Sequence, residues 1–289
     1  ANGSRFVQAS QLSLNGSGIA TFSDRARDAV RGGSAGDNGV DQVRRQGYIN
    51  GQFYDPNALA QATEEDLQRS ADLVRVGLAG SLRGFMMKTW RDEVLPLERI
   101  DYAGQPAGYV SQPGEVVNYV ENHDNQTLFD LNTLKLPRDT STADRARVQV
   151  LGLALTAFSQ GVAYFHAGVD ILRSKSGDRD SYDSGDWFNR IDWTYQDNGW
   201  GSGLPPEKTS AGFWPLLKPL LADARIKPAP ADIAFTRDAF TDLLKIRASS
   251  SAFRLATAED VQQRLTLLNT GPGQVPTLLL GHLDARGLA

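Results

Sequence analysis

Along the 289 residues the apolar positions gather into a few short runs separated by long polar stretches. Residues 19–22, 116–120 and 161–165 are runs of strand length, each breaking off in polar residues, and each reads as a strand, that at 116–120 a buried one. Residues 1–17 read as loop, and 24–30 begin a helical or turn segment closed by Gly32-Gly33. Residues 33–60, rich in Gly, Asn and Asp, form a long excursion. Thr63 with Asp66 three positions on is capping-box chemistry, and Leu67, Ala71, Val74, Leu78 and Leu82 recur at helical spacing, which predicts a helix. Residues 84–114, broken by Pro96, Pro106 and Pro113, read as an irregular linker. Ser141 with Asp144 opens a second helix carrying Val148, Leu151 and Leu155 on one face. Residues 238–247, with Phe240, Leu243, Leu244 and Ile246, form a last helix. From Val261 the pattern changes, and 262–273 followed by 277–283 reads as two strands around a Gly/Pro turn.

Strand, helix, strand is the signature of a parallel α/β protein, and such proteins place chemistry at the carboxyl ends of their strands. The run 116–120 ends in Glu121-Asn122-His123-Asp124-Asn125-Gln126. An Asp at such a rim can hold negative charge beside a developing cation, and a neighbouring His and Asn can hydrogen-bond hydroxyls. The same four residues, Asn-His-Asp-Asn, are also good turn and helix-cap chemistry, and both readings stand on these residues alone. After 161–165 comes a polar segment containing Asp178, Asp180, Tyr182, Asp183 and Asp186, and four of the five tryptophans, Trp187, Trp193, Trp200 and Trp214, lie in the same long loop. Aromatic rings stack on the C–H faces of sugars, although loop packing uses them as well. His166 sits inside an apolar run, as a core histidine does, and His282 lies in the terminal β segment without an evident role.

Composition narrows the classes. About 40% hydrophobic content is enough for a substantial core in one large or two ordinary domains. A net charge of −4, with 30 basic residues dispersed along the chain, argues against a nucleic-acid partner. No run approaches the roughly 18 apolar residues of a membrane span. Zero cysteines exclude disulfides and thiolate metal sites. The start, Ala1-Asn2-Gly3-Ser4-Arg5, has neither an initiator Met nor the form of a signal peptide, and the expectation is a piece of something longer.

Residues 119–126 resemble the seventh-strand motif of the α-amylase family of glycoside hydrolases. The run 161–193, with Phe165-His166-Ala167-Gly168, Arg173-Ser174-Lys175-Ser176 and Ser181-Tyr182-Asp183-Ser184-Gly185-Asp186-Trp187-Phe188-Asn189, is similar to the pullulanase and limit dextrinase branch, which cuts α-1,6 links. Residues 18–33 fit the sixth strand of the same enzymes, so the likeness runs in order through nearly the whole chain. It implies an α/β fold: strands six to eight of a (β/α)8 barrel over residues 1–254, then the start of an all-β C-terminal domain over 255–289.

Hydrolysis with retention needs a nucleophilic carboxylate and a carboxylic acid about 5 Å apart. The family adds a third carboxylate on strand seven, and by resemblance that group is Asp124, with His123 and Asn122 as hydroxyl-binding neighbours and Asp180, Tyr182 and Asp183 lining the sugar cleft. The nucleophile and the acid belong to strands four and five, whose motifs do not occur in this chain. The implied partner is a branched α-glucan, with no nucleic acid and no membrane span. No cofactor is required; calcium is found in many of the family, but no Asp-x-Asp-x-Asp-Gly loop is visible and no metal site is assigned. The resemblance also implies an exported or cell-surface bacterial protein, or a plastid protein in a plant. The rival expectation is a non-catalytic glucan-binding or assembly protein of the same fold. A phosphohydrolase reading of His123-Asp124 lacks ligands, because only His166 and His282 remain.

Overall fold

The computed structural model describes residues 9–288. Its organising element is a three-stranded parallel sheet in which Val116–Asn118 lies centrally between Thr21–Phe22 and Val162–Ala163. The register pairs Thr21 with Val116 and Phe22 with Val117 on one side, and Val117 with Val162 and Asn118 with Ala163 on the other. All three expected strands are therefore present, each shorter than its apolar run.

Helices supply the crossovers. Asp24–Arg31 follows the first strand and ends at Gly32, whose φ of 81° suits glycine and where a Cβ would meet the Arg45 carbonyl oxygen at 2.3 Å. Glu64–Leu78 begins at the expected capping box, with the Thr63 hydroxyl accepting from the Asp66 N–H and the Asp66 carboxylate accepting in return. Thr142–Phe158 starts at Ser141, whose hydroxyl accepts the Asp144 N–H, and packs on Pro230–Ala248.

Several sequence expectations are corrected. Residues 84–114 are not an irregular linker: Met86–Lys88 pairs with Val94–Pro96 and Asp101–Tyr102 with Gln105–Pro106, both antiparallel. Leu151 is 42% exposed, because the face that Thr142–Phe158 buries runs through Arg145, Gln149, Gly152 and Thr156. The helix expected over 238–247 begins at Pro230, where proline suits the first turn, and a further helix, Ala258–Arg264, follows it. Residues 262–264 close that helix, so the terminal β pair is Leu265–Leu268 with Leu280–Leu283. Trp214 opens the helix Trp214–Leu221 and is not a loop residue.

The apolar side chains divide into three clusters. Ala29, Val74, Val120, Leu128 and Leu153 lie between the sheet and its helices. Phe129, Ile171, Trp200, Leu217 and Ile233 underlie the long loop after the third strand. The third cluster joins Val76, Leu82 and Val116 to Leu255, Val261 and Leu265, so the C-terminal segment shares a core with the sheet-bearing part. Among the described residues no helix is long and apolar enough to cross a membrane.

Candidate active site

The central strand ends at Asn118 and the chain turns through 121–127 before the helix Leu128–Lys135. Asn122 is buried, and its side-chain Oδ1 accepts the Asp124 N–H at 2.9 Å, an Asx turn. Asn125 follows at φ 63°, a left-handed conformation that Asn tolerates better than most residues. Thr127 caps the next helix by accepting the Asp130 N–H at 3.1 Å. The turn reading of these residues is therefore sound, and it leaves two side chains unused. His123 and Asp124 keep side-chain exposures of 77% and 69%, and His123 Nε2 lies 3.4 Å from Asp124 Oδ1. Asp124 is thus fixed through its backbone and free at its carboxylate.

Beneath the turn lies a layer of buried charge. Glu121, 1% exposed, takes the His166 Nδ1–H on Oε1 at 2.7 Å and the Leu128 N–H on Oε2 at 2.6 Å. His166 is accordingly a satisfied interior histidine, as its apolar setting implied. Arg27 donates to the Tyr119 hydroxyl and pairs with Asp28, which also accepts from the Tyr102 hydroxyl at 2.6 Å. Burial pushes the Asp28 carboxyl up from its usual range and the Tyr102 phenol well up. Burial, with Arg27 beside it, holds the Arg31 guanidinium down to about 10, and Arg31 donates to the Val120 carbonyl at 3.4 Å. Burial, then Arg31, brings Lys135 down to about 7.

The loop after the third strand is anchored at its root and open beyond it. Asp130, fully buried, accepts from the Ser174 hydroxyl, from the Lys175 N–H at 2.8 Å and from the Gly177 N–H at 3.1 Å. Burial pushes its carboxyl up to about 6, against the lowering effect of those donors. Arg173 donates to the carbonyls of Ala167 and Asn189, and Lys175 Nζ reaches the His123 carbonyl at 3.2 Å, joining this loop to the turn that carries Asp124. Further on, Asp180 is exposed, its N–H held by Asp178 Oδ1 at 2.9 Å. Tyr182 is 83% exposed and Asp183 exposed, on the single turn Ser181–Asp183. Trp187, 60% exposed, donates to the Ser202 carbonyl, and Trp200 is buried at 3% against Phe129.

The structure therefore brings Asn122, His123 and Asp124 together on one turn, and Asp180, Tyr182 and Asp183 on the neighbouring loop. Among the described residues no hydrogen bond or ion pair joins the two trios directly; Lys175 is the link. Glu121 and Asp130, the carboxylates that hold the two segments, were missed in the sequence. For Glu121 the available signal was its place between the strand and Asn122. No group of three or more His, Cys, Asp or Glu is gathered as a metal site among the described residues. A hollow of about 570 Å³ on the outer side, lined by Tyr48, Tyr54, Leu136, Val148 and Leu151, contains none of the rim residues.

Known proteins resemble the chain closely. Residues 195–289 match the family described as α-1,6-glucosidases, pullulanase-type, C-terminal. A chloroplastic pullulanase of Arabidopsis thaliana is 44% identical over 98% of this chain and 30% of its own length. Among solved structures, apo pullulanase from Klebsiella pneumoniae superposes with a TM-score of 0.94 at 40% identity, covering 97% of this chain and 30% of that one. The Klebsiella pneumoniae pullulanase complexed with maltotriose gives the same TM-score and identity, covering 97% of this chain and 26% of that one. The chain spans about a quarter to a third of the length of the relatives it matches.

Proposed function

We propose that this chain, which belongs to the pullulanase-type α-1,6-glucosidases, forms one wall of the sugar cleft of a debranching glycoside hydrolase and supplies the carboxylate that stabilises its transition state. The three parallel strands are strands six to eight of a (β/α)8 barrel, residues 1–254, and 255–289, where the helix Ala258–Arg264 leads into the terminal hairpin, begin a β-rich C-terminal part that rests on the same core. The parallel order and helical crossovers support this reading, as does the likeness to crystallised pullulanases. The substrate is a branched α-glucan cut at its α-1,6 links with retention. The nucleophile and the acid lie on a part of the protein that this chain does not include, so residues 1–289 alone release no reducing sugar from pullulan.

Asp124 carries the proposal. Its carboxylate stands exposed at the carboxyl end of the central strand and has no strong ion-pair partner, only His123 at 3.4 Å. Negative charge held in place before the reaction stabilises an oxocarbenium-like transition state without the cost of reorganising at that moment. Asn122 sets the turn, His123 offers an imidazole to sugar hydroxyls, and Asp180, Tyr182 and Asp183 meet the glucan from the adjoining loop. In the full-length enzyme, Asp124→Asn lowers kcat on pullulan by about 10²–10³-fold or more, with an unchanged melting temperature. Near-normal turnover in that variant overturns the assignment and favours a glucan-binding role for the chain.

A further inference from the structure

Exposed side chains at this rim are held only through the backbone beneath them, which raises the question of what fixes that backbone. Among the described residues the Asp124 carboxylate meets no donor other than His123, so packing against its own side chain does not position it. Four hydrogen bonds restrain the turn from within or beside it: the Asx contact from Asn122, the Thr127 cap, the Gln126 amide on Gln42 Oε1 and the Lys175 ammonium on the His123 carbonyl. The last is made by a lysine from another loop, and the first two act over two or three residues only.

Glu121 does something different. It is the first residue of the turn, and its Oε2 accepts the N–H of Leu128, the first residue after it. One carboxylate thereby clasps both ends of the segment that carries Asn122, His123 and Asp124, and it satisfies a helix-terminal N–H that has no partner within its own helix. Its other oxygen takes the His166 Nδ1–H just past the third strand, tying the clasp to the neighbouring strand of the sheet. Charged groups on the surrounding elements that interact with Glu121 are Arg31, Asp170, Arg173 and Lys175, and three of these four are cations.

We propose that Glu121, braced by His166, is a positioning residue for Asp124: it touches no substrate, and it sets the place of the catalytic carboxylate by closing the turn that bears it. This rests on the reading of Asp124 given above. Misplacing a reacting group by about 1 Å can cost on the order of 100-fold in rate, which sets the scale of the expected effect.

The test is a set of variants of the full-length enzyme assayed on pullulan well below the melting temperature. Glu121→Ala lowers kcat by about 30-fold or more and leaves KM within about threefold, because the sugar contacts on the other loop persist. Glu121→Gln retains an acceptor for the Leu128 N–H and can donate its amide to a His166 nitrogen, so it stays within about threefold of the parent. Combined with Asp124→Asn, Glu121→Ala adds less than about threefold, because it acts through the group already removed. If Glu121→Ala does not fold, His166→Ala takes its place, with an expected loss of about tenfold in kcat at constant KM. A normal kcat in Glu121→Ala, or in His166→Ala where that stands in, overturns the positioning role while a dead Asp124→Asn leaves the parent reading intact. A fully additive double mutant also overturns it. Near-normal turnover in Asp124→Asn overturns both together.

Discussion

The turn 121–127 and the loop 173–189 leave the same edge of one sheet, yet they are built in opposite ways. The turn is short and tied at both ends by Glu121, with its middle set by Asn122, and it presents just two exposed side chains, His123 and Asp124. The loop is tied at its root by Asp130, which gathers Ser174, Lys175 and Gly177, and then runs outward to Tyr182 at 83% and Trp187 at 60% exposure. Fixed charge and adaptable contact make different demands. A carboxylate that stabilises a transition state gains from a preset position, whereas stacking and hydroxyl contacts along a glucan tolerate some movement. In both segments a buried carboxylate does the holding and exposed side chains stand beyond it.

The comparison breaks first at Asp130. Asp130→Ala strips the acceptor from one hydroxyl and two backbone N–H groups in a fully buried place and lowers unfolding free energy by about 3 kcal/mol or more. In the full-length enzyme, denaturant unfolding reads that loss, and KM for pullulan rises with kcat less affected. An unchanged KM in a folded variant shows that the root does not place the loop.

Asp130 also predicts a pH dependence. Its carboxyl is pushed up to about 6, above the unfolded value of about 4, so its stabilising contribution is complete below about pH 4 and is lost as pH rises through about 6. Asp130→Asn removes that titration, and the variant therefore gains on the parent by roughly 2–3 kcal/mol between pH 4 and pH 7. Parallel stability curves for the two proteins contradict this.

Smaller effects come from the exposed side chains. Tyr182→Ala and His123→Ala each weaken binding of a glucan by several-fold to about tenfold, at about 1 kcal/mol per contact. Both leave stability within about 0.5 kcal/mol, because neither side chain is packed. Unchanged affinity in both variants removes the loop and the turn from the sugar cleft. His282→Ala, on the exposed strand Leu280–Leu283, changes neither quantity.

What the sequence made legible follows from which signals are local. Capping at Thr63 and Ser141 depends on residues three apart, and the three parallel strands on short apolar runs, so both could be read directly. The hairpins within 84–114 were hidden because their strands are two or three residues long and include Pro96 and Pro106, which look like linker chemistry. The helix Leu128–Lys135 was hidden for the opposite reason: all eight residues are buried, so no amphipathic stripe marks it. Leu151 misled because it was grouped with Leu155, which is buried, while the buried face mixes apolar Leu153 and Leu155 with polar Arg145, Gln149 and Thr156 and leaves Leu151 outward. At the site, Asn122, His123 and Asp124 were legible as a cluster. Glu121 and Asp130 were not, because their importance lies in partners distant in sequence: Glu121 in His166, 45 residues on, and Asp130 in residues 44 to 47 positions away.

The central claim is that Asp124 and the loop around Tyr182 face one bound glucan. The most direct measurement is a crystal structure of the full-length enzyme with maltotriose. The account predicts the Asp124 carboxylate and His123 within about 2.6–3.2 Å of hydroxyls of a sugar ring, with Asp180, Tyr182 or Asp183 in contact with the same oligosaccharide. A bound oligosaccharide that occupies the cleft and touches neither segment contradicts it.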